Sequence, residues 1–329
     1  MLMGYTDLYM SRSRVALNIS DDSKTSVYML GVPFDSTTSY RPGTRFGPDA
    51  IREALANIEF NSIMHDEDGV TLEDVNIVDL GNLKSTTKPD TMVDMLSKVM
   101  SELRGKRTLI IVLGGEHLLT LGAYAGMVND GIVASNDDYA SRSKNKKSVG
   151  KDNTMLVVFD AHFDLRDEFN DCRLNHATYL RRIVEDNGDD GSNVLHIGAR
   201  GYSREEIDYA VRSRMNILPA RDILFGSSNT IGSDVKRRII DAVSSYDRLY
   251  ISIDLDAIDP AFAPGVGTPE PFGLHPLHLL EVLASLVERD KRIACLDVVE
   301  LCPPYDNGIT AVLAAKMILE MILMHVRSL

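Results

Sequence analysis

The chain has 329 residues, with 35 Lys and Arg against 48 Asp and Glu, which gives a formal net charge of −13 with histidine neutral. This acidic balance argues against a nucleic-acid-binding protein, because phosphate contacts require a surplus of Lys and Arg, and it favours a cationic small molecule as partner. The contents of hydrophobic residues (44%) and charged residues (25%) are typical of a folded globular chain and exclude a disordered or collagenous one.

The compartment is indicated by the cysteines and by the first residues. Cys172, Cys295 and Cys302 form no CxxC pair, which favours a reducing cytoplasmic location over a disulfide-bonded secreted protein. The N-terminus lacks the apolar stretch and cleavage pattern of a signal peptide, and we find no uninterrupted apolar run of 18 residues. We therefore predict a cytoplasmic protein without a membrane partner.

Short β-rich apolar runs alternate with longer amphipathic stretches, as in parallel strands joined by helices. We predict eight strands, at 26–32, 75–80, 108–114, 154–160, 194–200, 216–220, 248–256 and 292–300. Apolar residues at helical spacing predict helices at 49–56, 91–103, 117–127, 173–185, 204–212, 233–244, 276–288 and 309–326. Eight β/α pairs fit either a TIM barrel or an open three-layer sheet, and periodicity does not distinguish the two.

Two segments lack this alternation of strand and helix patterns. Residues 136–153 are polar, without periodicity and rich in Lys and Arg, and they predict a solvated insertion loop. Residues 1–25 predict an N-terminal arm that is flexible or contacts another subunit. Without an internal repeat or a linker, residues 26–329 are predicted to form a single catalytic domain.

Candidate catalytic residues follow the ends of predicted strands, where open α/β sheets bind their ligands. Four strand ends carry them: His117 after the third, Asp160, His162 and Asp164 after the fourth, Asp254 and Asp256 at the seventh, and Glu300 at the eighth. The chain has no GxxxxGK[ST] and no HExxH motif, and its one GxG, at Gly265, does not open a helix. Nucleotide hydrolysis and dinucleotide-dependent hydride transfer are therefore disfavoured.

The spacing of these residues indicates a metal centre. Residues i, i+2 and i+4 of an extended chain project to the same side, so Asp160, His162 and Asp164 are expected to converge, as are Asp254 and Asp256. A lone strand-end aspartate is more often a helix cap or turn residue, but here several strands carry such residues. Four carboxylates brought together would repel unless cations lie between them. The set predicts two divalent metals, and ligation without thiolate favours Mn²⁺ over structural Zn²⁺.

Six ordered motifs resemble those of one enzyme family. They are GVPFDSTTSYRPGTRFGPDAIR from Gly31, GGEH from Gly114, DAHFDLRDEF from Asp160, NHAT from Asn175, SIDLDAIDPAFAPGVGTPEPFGL from Ser252 and DVVELCPPYD from Asp297. From Ser26 onward the chain resembles the ureohydrolases, the family of arginases and agmatinases, and most closely the archaeal-type agmatinases. The resemblance implies an arginase/deacetylase-like α/β fold, a three-layer α/β/α sandwich with a mainly parallel eight-stranded sheet, in place of the barrel.

The resemblance also implies a role for each candidate residue. One Mn²⁺ is expected at His117, Asp160, Asp164 and Asp254, and a second at Asp160, His162, Asp254 and Asp256. The implied catalytic residues are Asp164 for proton transfer to the leaving nitrogen, His176 as general acid/base, and Glu300 as the partner of the substrate guanidinium. Thr268, near Glu300, and His176 are expected to contact the substrate.

The resemblance implies hydrolysis of a guanidino compound to urea and an amine, but the substrate depends on its tail. Arginases carry Ser- and Asn-rich loops after their DAHxD motif, whereas this chain has Asp167, Glu168 and Asp171 there. These acids favour the distal ammonium of agmatine, although Arg166 would repel it unless a neighbouring acid pairs with Arg166. We expect an agmatinase that forms putrescine in polyamine synthesis, assembled as a trimer or hexamer.

Other substrates and one other class of protein are alternatives. Another guanidino substrate, such as aminopropylagmatine or guanidinobutyrate, would use the same chemistry, and a formiminoglutamase is a related possibility. An inactive metal-binding regulatory subunit is disfavoured, because all six predicted metal ligands, His176 and Glu300 are present.

Overall fold

The structure is a computed structural model, and it describes residues 4–11, 26–59, 61–64, 75–104, 109–128, 153–225, 230–287 and 292–327. Within these ranges one mainly parallel sheet carries helices on both faces. Apart from Asn153, the predicted insertion at 136–153 lies outside the described residues, as do residues 12–25 of the predicted arm.

Nine strands form the sheet, one more than the sequence predicts. They are β1 (Met10–Ser11), β2 (Ser26–Gly31), β3 (Asn76–Leu83), β4 (Leu109–Leu113), β5 (Thr154–Phe159), β6 (Val194–Ile197), β7 (Asn216–Leu218), β8 (Arg248–Asp254) and β9 (Arg292–Val299). Their order is β1-β3-β2-β4-β9-β8-β5-β6-β7, and every pair except β1 with β3 is parallel. The prediction of eight strands was wrong by β1, which is too short to carry an alternating pattern.

Eight of the ten helices among the described residues match the predicted positions, with small shifts at their ends, and the two short helices α1 and α7 were not predicted. They are α1 (Tyr5–Tyr9), α2 (Gly47–Leu55), α3 (Pro89–Leu103), α4 (Leu119–Val128), α5 (Tyr179–Asp186), α6 (Arg204–Arg212), α7 (Ala220–Leu224), α8 (Ser233–Val243), α9 (Pro276–Val287) and α10 (Ile309–Arg327). The predicted helix at 173–185 begins later, because a 3₁₀ turn at His176–Thr178 precedes α5.

Two hydrophobic cores, one on each face of the sheet, make the three layers. Successive residues of a strand face opposite sides, and β4 sends Ile111 into one core and Ile110 into the other. Helices α2, α8, α9 and α10 pack in the first core, and α3, α4, α5 and α6 in the second. The predicted three-layer α/β/α sandwich is confirmed.

Helix α10 is the one described helix that is long and apolar enough to cross a membrane. Most of it is buried inside the molecule, where Ile318 and Leu319 are fully enclosed. It is therefore a core helix of the molecule.

The first described residues lie against the domain. Strand β1 pairs with β3, and the Glu102 carboxylate of α3 accepts hydrogen bonds from the backbone N–H (2.7 Å) and hydroxyl (3.0 Å) of Thr6. Residues 4–11 thus extend the sheet by one short edge strand.

Candidate active site

Four neighbouring strands in the middle of the sheet, β4, β9, β8 and β5, end on the same edge. Their parallel register places Leu113 beside Val298, Asp254 beside Val299, and Phe159 beside Ile253. Because the predicted site residues follow these positions directly, the sheet itself gathers residues that lie up to 183 positions apart in the chain.

His117 lies at the centre of the first group of possible metal ligands. Its Nδ1 is 3.1 Å from Asp160 Oδ2 and 3.1 Å from Asp254 Oδ2, and all three side chains are buried. Asp164 Oδ2 lies slightly farther away, 3.5 Å from the same nitrogen. These are the four residues predicted to hold the first metal.

His162 lies at the centre of the second group. Its Nδ1 is 3.0 Å from Asp256 Oδ2 and 3.6 Å from Asp160 Oδ1. Asp160 therefore contributes one oxygen to each group, as a bridging carboxylate should. The other predicted bridge, Asp254, is found with the first group only, and its second contact stays a prediction.

Three aspartates of the metal groups also accept a backbone N–H, and in Asp160 the accepting oxygen, Oδ1, is the one that lies near His162. The Oδ1 atom of Asp160 accepts from the His162 N–H (2.6 Å), that of Asp254 from the Asp256 N–H (2.8 Å), and that of Asp256 from the Ala161 N–H (3.1 Å). The capping role expected of a lone strand-end aspartate is thus present in residues that could also hold a metal ion. These backbone bonds orient the second oxygen, Oδ2, toward an imidazole.

The way in which the residues converge differs from the prediction of an extended chain. Strand β5 ends at Phe159, and Asp164 has a left-handed backbone with φ of 50°. Asp256 lies in a 3₁₀ turn at Leu255–Ala257 that Asp254 caps. Tight turns, and not strand alternation, therefore bring Asp164 and Asp256 to the site.

The residues fit a binuclear metal centre. The buried atoms His117 Nδ1 and Asp160 Oδ2 have no hydrogen-bond partner among the described residues. Burial and nearby carboxylates raise the pKa of Asp164 and of Asp254 well above its usual range. Burial alone would lower the pKa of His117, but Asp160 and its neighbours raise it to about 9. Divalent cations would partner these atoms and offset the repulsion between the carboxylates.

Glu300 lies beside the first metal group and lines the cavity above it. Its Oε1 accepts the His117 N–H at 2.7 Å, and its backbone has a left-handed φ of 63°. Burial and the nearby Glu116 raise the pKa of Glu300 to about 8. A cation beside this carboxylate would favour its ionised form, as a substrate guanidinium would.

His176 lines the same cavity from the 3₁₀ turn before α5. Asn175 caps this turn, since its side chain accepts the Ala177 N–H at 3.0 Å. Burial lowers the pKa of His176 to about 4, so the imidazole is neutral at pH 7. The structure brings it together with Glu300 and Asp164, the two other predicted catalytic residues.

Thr268 also lines the cavity, and its hydroxyl donates to Asp256 Oδ2 at 3.0 Å. This bond holds a carboxylate of the second metal group. Contact between Thr268 and the substrate stays a prediction.

The acids that line the cavity differ from those expected to bind the substrate tail. Asp167 forms ion pairs with Arg173 (2.7 Å) and Arg182 (2.8 Å), and neither Asp167, Glu168 nor Asp171 lines the described cavity. These three acids were therefore wrongly assigned to the substrate tail. The chain turns at Asn170 and Asp171, where φ is 50° and 57°, and composition does not reveal such a turn.

Glu206 of α6 is an acid of the cavity lining that the sequence analysis missed. It is buried, and its Oε2 accepts from the Ser203 N–H (2.9 Å) and hydroxyl (2.8 Å) in a capping box. The Arg166 Nε lies 3.9 Å from this carboxylate, so the pairing that Arg166 required is supplied from another element. In the sequence, the Ser-x-x-Glu spacing indicates only a helix start, so it does not predict that Glu206 also lines the cavity.

Similarity to known proteins covers most of the chain. Residues 25–324 match the model of the arginase family. An agmatinase of Pyrococcus horikoshii is 34% identical and aligns over 93% of this chain and 94% of its own. An N(1)-aminopropylagmatine ureohydrolase of Thermococcus kodakarensis is 32% identical over 91% and 90%. The crystal structure of the agmatine ureohydrolase of Thermoplasma volcanium superposes with a TM-score of 0.77 at 30% identity, over 95% and 94% of the two chains. With its two His/Asp groups, the chain therefore belongs to the arginase family and is a metal-dependent ureohydrolase.

Proposed function

We propose that this ureohydrolase is an agmatinase, which hydrolyses agmatine to putrescine and urea with two Mn²⁺ per subunit. It would act in polyamine synthesis, in the cytoplasm, as a homo-oligomer that is a trimer or hexamer. Two relatives named for agmatine and one named for aminopropylagmatine support a cationic substrate. The acidic net charge of −13 supports it too, because it raises the local concentration of cations.

The choice of agmatine rests on one observation, the unequal exposure of two charged side chains of the cavity lining, Glu206 and Arg166. The Glu206 side chain is only 4% exposed, whereas the Arg166 side chain is 44% exposed and stacks on the Phe169 ring. A buried charge interacts more strongly with a ligand than one screened by water. The cavity therefore favours an ammonium tail beside Glu206 over a carboxylate tail beside Arg166.

The reaction adds a water oxygen to the guanidinium carbon and breaks the bond from that carbon to the substituted nitrogen. Two bound divalent cations would supply the Lewis acidity that lowers the pKa of water to about 7. Glu300 would pair with the guanidinium and hold its carbon over the metal groups, which contributes proximity. The Glu300 contact to the His117 N–H fixes that carboxylate relative to the first group.

Proton transfers complete the reaction, since the amine must leave with a proton. Asp164 lies at the first metal group and lines the cavity, so it is placed to deliver a proton to the departing nitrogen. His176 is neutral and lines the same cavity, so it can take up a proton and exchange it with solvent.

Arg166 supports a second candidate, a ureohydrolase for a guanidino acid such as guanidinobutyrate. Its guanidinium lines the cavity and would pair with a carboxylate tail if Glu206 did not compete. The two candidates require opposite effects of charge at these two residues.

A substrate panel with paired variants tests the proposal. Urea release with Mn²⁺ would be measured for agmatine, aminopropylagmatine, guanidinobutyrate and arginine, and formamide release for formiminoglutamate, whose formimino carbon cannot give urea. Glu206→Gln keeps a residue that completes the capping box but removes the charge, so kcat/KM for agmatine should fall about 10-fold or more, as for a lost charge-assisted bond. Glu205→Gln, a change at the exposed neighbour, is the matched control and should leave kcat/KM unchanged.

The outcomes separate the candidates. Urea from guanidinobutyrate in preference to agmatine, with loss on Arg166→Gln, would favour the guanidino acid. No urea from any guanidino compound would contradict the whole proposal.

A further inference from the structure

The imidazole of His176 contacts a hydroxyl group at each ring nitrogen. Thr37 Oγ1 lies 3.3 Å from Nδ1 and also accepts the His176 backbone N–H at 3.0 Å. Ser39 Oγ lies 3.3 Å from Nε2 and belongs to the cavity lining. Because a hydroxyl both donates and accepts, these contacts alone leave the tautomer of the imidazole open.

Glu116 removes this ambiguity at Thr37. The Glu116 carboxylate is fully buried and accepts from the Thr37 backbone N–H at 2.8 Å and from the Thr37 hydroxyl at 2.5 Å. Burial raises the pKa of Glu116 to about 7. Above that pH, where the experiments below are done, the group is a carboxylate, which can only accept, and charge-assisted bonds of this length are among the strong ones. The single hydroxyl proton of Thr37 is therefore committed to Glu116.

The Thr37 oxygen then has only its two lone pairs to offer. One receives the His176 backbone N–H, and the other faces Nδ1 of the ring. A lone pair facing a ring nitrogen is satisfied only if that nitrogen carries the proton. Burial keeps the imidazole neutral, so the opposite nitrogen, Nε2, must carry the lone pair.

We infer that Glu116 and Thr37 are positioning residues that hold His176 as the Nδ1–H tautomer, with the Nε2 lone pair on the side of the cavity. The inference rests on the proposed proton-transfer role of His176. With this tautomer Nε2 is ready to accept a proton, whereas the opposite tautomer would present an N–H there and block the transfer. Neither residue touches the substrate, so each acts through His176.

The inference predicts opposite results for two changes at Glu116 and Thr37. In Glu116→Gln, the Thr37 backbone N–H requires the amide oxygen, so the amide NH₂ must face the Thr37 hydroxyl. That hydroxyl then receives a hydrogen bond and turns its own proton toward Nδ1, which converts His176 to the Nε2–H tautomer. In Thr37→Val both partners are lost and the two tautomers should mix, whereas Thr37→Ser should restore the wild-type tautomer.

The experiment is ¹⁵N NMR of full-length protein labelled at histidine and loaded with diamagnetic Zn²⁺, which accepts His and Asp ligands. His176→Gln identifies the His176 signals among the eight histidines, and metal content is measured for each variant. Thr38→Val is the matched control, because the neighbouring Thr38 hydroxyl has no hydrogen-bond partner among the described residues. It should leave the His176 nitrogen shifts unchanged.

Kinetics with Mn²⁺ and agmatine provide the second measurement. Thr37→Val and Glu116→Gln should lower kcat on the order of 10- to 100-fold, part of what general acid/base catalysis contributes, with KM little changed. Thr37→Ser should recover most of kcat.

Each result decides the inference. An Nδ1–H tautomer that persists in Glu116→Gln, or an equal loss of kcat in Thr38→Val, would overturn it. If the tautomer changes as expected but the wild type releases no urea, the positioning role stands and the proposed function fails.

Discussion

At the scale of single residues, the site combines ordinary local chemistry with two strained positions. Asp160, Asp254 and Asp256 each satisfy a backbone N–H and still direct an oxygen toward a metal group. Asp164 and Glu300 adopt left-handed backbone conformations that cost on the order of 1 kcal/mol or more for residues with a side chain. Such strain persists where surrounding structure enforces it, and here both residues are assigned to the reaction.

His162→Ala tests the assignment of the second metal group. The imidazole is one of three side chains in that group, so its loss should reduce the bound metal and lower kcat by about 100-fold or more, since even outer partners of ligands are worth 10- to 100-fold. Metal content by mass spectrometry and urea release measure the two effects. His278→Ala, in α9 and outside the cavity lining, is the control; full metal content in His162→Ala would disprove the assignment.

At the scale of elements, the last residue of the first motif, Arg52, binds a helix to the sheet. Arg52 of α2 is fully buried and forms two hydrogen bonds to Asp79 of β3, at 2.8 and 2.9 Å. It also donates to Asn82 Oδ1 (2.6 Å) and to the Gly81 carbonyl (2.8 Å). This residue therefore sets the position of α2 and has no contact with the cavity lining, although its motif is typical of the enzyme family.

Arg52→Met is expected to destabilise the fold without changing the chemistry. Removing one member of a buried ion pair costs about 3–5 kcal/mol, because the other charge loses its compensation. The free energy of the first unfolding transition in guanidinium chloride should fall by about this amount, while kcat of the folded fraction is retained. Arg212→Met, on the exposed face at the end of α6, should change the free energy by less than about 0.5 kcal/mol; equal effects would contradict the structural role.

At the scale of the whole molecule, folding and metal binding are coupled through the acidic charge. Four of the acids behind the net charge of −13 lie at two metal groups, so two divalent cations would balance them. The remaining surplus of acidic residues creates a negative electrostatic potential that attracts cationic substrates. Metal removal should therefore affect stability in a way that depends on pH.

The thermal midpoint of metal-free protein is expected to fall as pH rises from about 6.5 to about 9. Burial and neighbouring carboxylates raise the pKa of Asp164 and Asp254 in the folded state, and Asp160 raises that of His117 to about 9 against burial. A folded-state pKa above the unfolded value gives stability that is present at low pH and is lost as pH rises through this window. Mn²⁺ replaces these protons, so the increase in Tm on adding Mn²⁺ to EDTA-treated protein should grow with pH; a constant increase would contradict the coupling.

Much of the site was predictable because most of its residues lie in short motifs at the ends of strands. Strand ends, the DAHFD and DLD spacings and the order of the motifs identify His117, Asp160, His162, Asp164, Asp254 and Asp256, and the structure places all six together. The wrong expectations concern directions: Asp167 turns to Arg173 and Arg182, and β1 joins the sheet from within the predicted arm. Direction depends on backbone turns and on partners that are distant in sequence, so composition cannot supply it.

The sequence by itself determined the alternating α/β pattern and the type of metal ligand, because periodicity and spacing express backbone geometry and side-chain chemistry over a few residues. The resemblance of its six motifs to the ureohydrolases indicated the open three-layer sheet and the kind of reaction. Only the tertiary structure decided that Glu206 lines the cavity and that the Thr37 hydroxyl contacts both Glu116 and His176. These relations join residues on different elements, tens of positions apart or more. They arise only when the parallel register brings the elements to one edge and burial makes each hydrogen bond selective.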